Sequence, residues 1–145
     1  MKLIFLDVDG VMNSTIGKEP YLADMEVEKL VLLKKLIVES NAAGIVLISD
    51  RRYWQSYMEK FIDALDEYEI FLVGQTRLPI EDDNRGKQIL DYLESSSDNI
   101  DSIVILDDID DGISNIFPEE FILVNRFYGF NVDIYQKALN VLKYK

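Results

Sequence analysis

An apolar stretch, Lys2-Leu3-Ile4-Phe5-Leu6, runs straight into Asp7-Val8-Asp9-Gly10-Val11 near the start of this chain. Asp is disfavoured inside strands, so Asp7 and Asp9 mark the C-terminal end of one. In an open parallel sheet that end faces the crevice where ligands bind. Two carboxylates one residue apart repel each other unless a cation neutralises them or one holds a proton. The pair calls for a divalent metal, a proton-transfer role, or both. A solvated strand end that merely begins a turn reads the same locally, so the rest of the chain has to decide.

Five apolar runs have the length and Ile/Val/Leu/Phe content of strands covered on both faces: Leu3–Leu6, Gly44–Ile48, Ile70–Val73, Ile103–Leu106 and Phe121–Val124. Helical spacing fills the gaps. Val27, Leu30, Val31, Lys34 and Val38 begin one amphipathic helix; Trp54, Tyr57, Met58, Phe61, Ile62 and Leu65 form a second apolar stripe, read as core rather than as a base-stacking platform. Ile89, Leu90 and Leu93 form a third helix with Asp82, Asp83 or Asn84 as its cap, and Tyr135, Ala138, Leu139 and Leu142 a terminal one. Strands alternating with helices predict an α/β fold, a three-layer doubly wound parallel five-stranded sheet. Residues 1–145 are expected to form a single domain. The segment Met12–Met25, with Gly17 and Pro20, is expected to hang over the rim beside Asp7 and Asp9, too short for a cap domain. Gly129, in Phe127-Tyr128-Gly129-Phe130-Asn131, is expected to serve a turn.

Composition removes several chemistries. With no histidine and no cysteine, a Ser-His-Asp triad, an imidazole base and a zinc-thiolate site are excluded. Carboxylates, hydroxyls, Lys, Arg and a hard cation remain. No apolar run approaches the roughly 18 residues of a membrane span, and the N-terminus does not read as a signal peptide. A cytoplasmic location is expected, without a membrane partner. The formal net charge of −12 argues against tight binding to long polyanions. Nucleic acid would need a local basic rim, for which Arg51, Arg52, Arg77, Arg85 and Lys87 are the candidates.

The other strand ends repeat the theme. The second runs into Ser49-Asp50-Arg51-Arg52 and the fourth into Asp107-Asp108-Ile109-Asp110-Asp111, while Asp83-Asn84-Arg85-Gly86-Lys87 opens the third helix. A parallel sheet turns all of these to one crevice. Acids, a hydroxyl and a cation are what phosphoryl transfer through an aspartyl phosphate requires. One carboxylate attacks phosphorus, a second carboxyl protonates the leaving group, and Mg²⁺ offsets the repulsion between nucleophile and phosphate dianion. Asp107, Asp108, Asp110 and Asp111 would repel badly without a cation. Ser49 has two readings, phosphate ligand or helix cap. Arg51 and Arg52 divide between surface ion pairs and substrate contact.

In order and strand-end placement these segments resemble the haloacid dehalogenase-like (HAD) phosphatase superfamily. Asp7-Val8-Asp9-Gly10-Val11 resembles its first motif, Ser49 its second, Arg85 or Lys87 its basic third and Asp107-Asp108-x-x-Asp111 its acidic fourth. The finer pattern, Phe-Leu-Asp-Val-Asp-Gly-Val-Met-Asn, Ile-Val-Leu-Ile-Ser-Asp-Arg-Arg, Arg-Gly-Lys-Gln-Ile and Ile-Leu-Asp-Asp, is similar to the small capless branch that includes phosphatase domains of nucleic-acid end repair. The resemblance implies Asp7 as nucleophile and Asp9 as acid/base. Asp108 would ligate Mg²⁺ with the Asp7 carboxylate and the Asp9 backbone carbonyl, supported by Asp107 and Asp111. Ser49, Arg52 and Arg85 would hold the substrate phosphate. Alignment on Arg-Gly-x-x-Ile puts Arg85 in the third-motif role; the family's commoner lysine would select Lys87.

One departure bears on the chemistry. The branch carries Ser-x-Trp-Arg after its second strand, whereas Asp50-Arg51-Arg52 follows Ser49 here. Asp50 would repel a phosphate unless it points away or pairs with Arg52. The expected activity is a Mg²⁺-dependent phosphomonoesterase with a phosphorylated substrate, large or extended because nothing encloses the crevice. The alternatives are a nucleic-acid 3′-end phosphatase and a non-catalytic binding module. A response-regulator receiver fails on placement: its phosphoacceptor and lysine would follow the third and fifth strands, which end Val73-Gly74-Gln75-Thr76 and Val124-Asn125-Arg126.

Overall fold

Strand pairing explains why the apolar runs are continuous. In a computed structural model that describes residues 1–14 and 23–143, β1 (Lys2–Leu6), β2 (Gly44–Leu47), β3 (Leu72–Gln75), β4 (Ser102–Asp107) and β5 (Phe121–Leu123) form one parallel sheet in the order β3-β2-β1-β4-β5. Central β1 pairs Leu3–Leu6 with Gly44–Leu47 on one edge and Lys2–Leu6 with Ser102–Leu106 on the other. Alternate residues then serve opposite cores. Ile4, Leu6, Ile45, Leu47, Val104 and Leu106 face the layer that holds α1 (Val27–Ser40), α2 (Gln55–Glu67) and α5 (Val132–Lys143). Leu3, Phe5, Val46, Ile48, Ile103 and Ile105 face α3 (Arg85–Ser95) and the short α4 (Ile113–Ile116). This is the three-layer α/β arrangement expected, HAD-like or Rossmann-like, with no cap inserted among the described residues. No helix among them is long and apolar enough to cross a membrane.

Two local details differ from the sequence reading. Ile70 belongs to the stop that follows α2, not to β3. Glu69 takes a left-handed conformation (φ 55°), its N–H donates to Asp66 and that of Ile70 to Leu65, and Ile70 joins Leu65 in the core. That pattern is a Schellman stop, and it delays the strand until Leu72. The Trp54 stripe also divides. Phe61 and Leu65 are buried, but Trp54 is 39% exposed. It precedes α2 with extended backbone (φ −124°, ψ 112°), which takes it off the helical face its spacing suggested.

The strand order reverses direction at β1, so the carboxyl ends of β1 and β4 bound the crevice. Of Met12–Met25, residues 15–22, including Gly17 and Pro20, lie outside the described residues. Its two ends sit at the rim, where the Asn13 amide donates to Ala23 O at 3.2 Å.

Candidate active site

Asp7 leaves β1 while still paired to β4, its N–H donating to Leu106 O at 3.0 Å. The chain then turns sharply, with Val11 and Met12 N–H both donating to Val8 O. Gly10 makes the turn possible. Its φ is +84°, and a Cβ there would overlap the Asp108 carboxylate. Asn13, fully buried, accepts from Gly10 N–H at 2.9 Å and donates to Asp9 at 3.3 Å. Asp7 is thereby buried, whereas Asp9 is partly open.

Arg85 faces Asp7 from the first turn of α3. Asn84 caps that helix by accepting from Lys87 N–H, and Asp111 accepts from the N–H groups of Arg85 and Gly86, through its carboxylate and its backbone oxygen respectively. The Arg85 guanidinium lies 2.6 Å from Asp107, 3.6 Å from Asp7 and 3.4 Å from Asp50. Burial works against its charge, but Asp7 and Asp107 together hold it above the ordinary arginine range. Burial also raises the carboxyls it serves. Asp107 is pushed up to about 6, with Arg85 opposing. Asp7 is raised well above its usual value by burial and then by the charge of Asp107, against the pull of Arg85. Both acids are short of positive charge.

Asp7, Asp107 and Asp108 each present an oxygen such that all three lie within 4.8 Å of one another. An all-oxygen, carboxylate-rich cluster suits Mg²⁺, and two of its members are buried acids whose raised pKa values a cation would relieve. The residues fit the ion. The side chains of Asp9 and Asp111 lie outside the trio: Asp9 is held by Arg51, and Asp111 anchors α3. Asp110 is exposed and accepts from Ser114.

Ser49 caps a short turn, not the Trp54 helix of the sequence reading, whose N-cap is Trp54 itself. The serine accepts from Arg51 N–H at 3.2 Å, capping the 3₁₀ turn Asp50–Tyr53, and it lines the crevice. Asp50 pairs with Arg85 and not with Arg52. Arg51 is buried and clamps Asp9, Nη2 to Oδ1 at 3.0 Å and Nε to Oδ2 at 3.4 Å. Arg52 is turned into the protein. Its nitrogens donate to Ser49 O, Thr76 O, Arg77 O and the Gln88 amide at 2.9 to 3.2 Å, and to the Thr76 hydroxyl. Burial and the nearby charge of Arg85 lower its pKa. Lys87 is exposed and donates to Asp82 O. Arg77 bridges Asp83 and Asp91. Each of the five cations considered for a basic rim is thus matched to an acid or a carbonyl.

The crevice encloses about 120 Å³ between Asp7, Asp9, Ser49, Asp50, Arg85, Asp108, Ile109 and Arg126. Sequence reasoning missed Arg126, whose Nε lies 3.9 Å from Asp108; the signal available was its place just past the fifth strand. A larger cavity of about 540 Å³, between Leu93, Asp98, Ile103 and Phe117, includes Ser102 at the amino end of β4 and none of this cluster.

A family model for a HAD domain in Swiss Army Knife RNA repair proteins matches residues 3–133. The chain belongs to this family. No curated protein matched it. The family match takes in all five strands but for Lys2, and every crevice residue from Asp7 to Arg126, which sets the acid cluster in a HAD domain associated with RNA repair. HAD domains are broadly hydrolases, phosphatases above all, and Mg²⁺ is their usual ion. Among the described residues, the trio at the ends of β1 and β4 could offer oxygen ligands to one.

Proposed function

We propose that residues 1–145 form one HAD-like domain, acting in the cytoplasm as a Mg²⁺-dependent phosphomonoesterase on a phosphorylated RNA end. The observation that carries this reading is the buried Asp7 carboxylate, 3.6 Å from Arg85 and grouped with Asp107 and Asp108 in a crevice over which no cap is inserted among the described residues. The Asp7 carboxylate attacks phosphorus and the bond to the leaving oxygen breaks. Asp9 delivers the proton that oxygen needs. Water then attacks the aspartyl phosphate, with Asp9 taking its proton, and inorganic phosphate leaves. Ser49 and Arg85 hold the phosphoryl oxygens. Asp7, Asp108 and the Asp9 backbone carbonyl would hold Mg²⁺, which supplies charge neutralisation between nucleophile and phosphate dianion. Asp107 fixes Arg85, and Asp111 fixes the start of α3. Arg52 and Lys87 have no direct part in this scheme: neither lines the crevice, and the Arg52 donors are engaged inside the protein.

The crevice volume supports an extended substrate. Sites that enclose a whole small ligand run to about 300 Å³ or more, whereas 120 Å³ suits a phosphoryl group. Turnover of an aryl phosphate and of 3′- and 5′-phosphorylated oligoribonucleotides, with Mg²⁺ and with chelator, tests the reading. Phosphate release that needs Mg²⁺ and disappears in Asp7→Asn is expected. Wild-type turnover by Asp7→Asn overturns the mechanism, and an intact protein inactive on every phosphoester is the binding module instead.

A further inference from the structure

With room in the crevice for little beyond a phosphoryl group, the rest of the substrate has to lie outside it, and exposed aromatic residues follow crevice-lining residues in the chain on both sides. After β2, Tyr53 is 48% and Trp54 39% exposed; after β5, Phe127 is 60% and Tyr128 58% exposed. Among the described residues the other exposed aromatic side chain is Phe71, which precedes β3. The two clusters continue directly from the site. Tyr53 ends the 3₁₀ turn that Asp50 begins, and Phe127 follows Arg126; Asp50 and Arg126 both line the crevice. The sheet order sets the loops after β2 and β5 to either side of those after β1 and β4.

Both clusters are held in place. Trp54 packs edge-on against Tyr53 and Tyr57, with ring centres 5.8 and 6.4 Å away, and the Arg51 guanidinium lies 5.9 Å over the Tyr57 ring. On the other side, Asn125 O accepts from Tyr128 and Gly129 N–H, Phe127 N–H donates to the Asn125 side chain, and Phe130 N–H donates to Val11 O. Gly129 (φ +66°) closes that turn where a Cβ would meet Val11 and Asn13, so the Phe127-Tyr128 turn is fastened to the Asp7–Asn13 loop.

Charge narrows the occupant. A chain of net charge −12, with its candidate basic rim matched internally, gains little from phosphate neutralisation. Stacking on aromatic faces needs no net positive charge and tolerates any base. We infer that Tyr53-Trp54 and Phe127-Tyr128 are two stacking ledges for unpaired bases beside the scissile phosphate, so that the substrate is a single-stranded RNA end. This rests on the phosphatase reading for the fate of the phosphate, but not for the binding of the bases. A duplex keeps its base faces stacked in the helix and gains less.

The chain has one tryptophan, which makes Trp54 fluorescence a direct reporter. A single-stranded oligoribonucleotide lacking a cleavable phosphate is expected to quench it, while a duplex of the same sequence or a phosphopeptide quenches little. Phe127→Ala and Tyr53→Ala should each raise KM for a phosphorylated single strand by about tenfold, persisting at high salt, and leave turnover of acetyl phosphate, which has no ring to stack, at the wild-type value. Absent quenching, together with KM unchanged in both variants, overturns the ledges even if every phosphoester is hydrolysed. Preference for duplex or phosphopeptide overturns them too. If no phosphoester is turned over, the phosphatase reading fails alone, and quenching with its loss in Phe127→Ala still decides the ledges.

Discussion

Arg51 grips Asp9 with two nitrogens, Nη2 to Oδ1 at 3.0 Å and Nε to Oδ2 at 3.4 Å, and both side chains are largely buried. In the proposed reaction, the contact fixes where the Asp9 carboxyl that would transfer the proton stands relative to Asp7. Ser49 sets it up by capping the turn that aims Arg51 back across β1. Arg51 is therefore a positioning residue, and misplacing a reacting group by about 1 Å can cost roughly 10²-fold. Arg51→Met should lower kcat by about 10- to 100-fold for phosphates with poor leaving groups, with little change for an activated aryl phosphate. Arg51→Lys should restore part of the loss. Equal losses across leaving groups would argue that Arg51 acts on folding alone.

Asp108 and Asp110 are close in sequence but differ in their surroundings. Asp108 belongs to the oxygen cluster with Asp7 and Asp107, and Asp110 is occupied with Ser114 at the start of α4. Asp108→Ala should raise the Mg²⁺ concentration for half-maximal activity by at least about tenfold. Asp110→Ala should leave it unchanged and cost about 1 kcal/mol of stability or less through the lost hydrogen bonds from Ser114. Activity titrations with Mg²⁺ and urea unfolding separate the two. Full activity in chelator would refute the metal altogether.

The legible parts of this chain are those where a strong local pattern coincides with a topological rule. An apolar run ending in an acid places Asp7, Asp9, Asp107 and Asp108 at strand ends, and parallel pairing then brings those ends together. Arg51 and Arg52 were harder to tell apart. Both follow Ser49, and only the 3₁₀ geometry sends one to Asp9 and the other into the layer beneath Thr76 and Gln88. Trp54 misled through its spacing, because a residue just before a helix keeps extended backbone and leaves the face its periodicity suggests. Arg126 had no signal beyond its position, since one cation after an edge strand reads like any surface residue. Ile70 read as strand because a Schellman stop closed by Glu69 has no glycine to announce it.

Arg52 separates the sequence reading from the structural one. The sequence offered it as a phosphate ligand, but its donors go to Ser49 O, Thr76 O, Arg77 O and Gln88. Truncation leaves these acceptors unpaired inside the protein. Arg52→Ala should cost about 3 kcal/mol in urea unfolding, with the remaining folded enzyme showing a KM close to wild type. Normal stability with a sharply raised KM would return Arg52 to the substrate.

Proton linkage gives the acid cluster a thermodynamic signature. Unfolded carboxyls titrate near 3.9, whereas folded Asp107 is raised to about 6 by burial and Asp7 is raised as well, by burial and by Asp107. The folded state then binds more protons than the unfolded one between about pH 4 and pH 6, so its stability falls as pH rises through that range. Asp83, held low by its hydrogen bonds to Arg77, acts in the opposite sense, but its contribution is lost only on acidification below about pH 4 and stays outside the window. The metal-free protein should therefore unfold at lower temperature at pH 7.5 than at pH 5, by an amount on the order of 1–3 kcal/mol. Mg²⁺ stands in for the missing protons and should raise Tm more at pH 7.5 than at pH 5. Asp7→Asn removes one buried anion, so its metal-free form should unfold at higher temperature than the metal-free wild type at pH 7.5, while catalysis falls at least roughly 10³-fold. Thermal unfolding of both proteins at the two pH values, with and without Mg²⁺, reads all of these shifts. A metal-free wild type that gains stability between pH 5 and pH 7.5 would show that the three carboxylates do not crowd one another as their geometry requires.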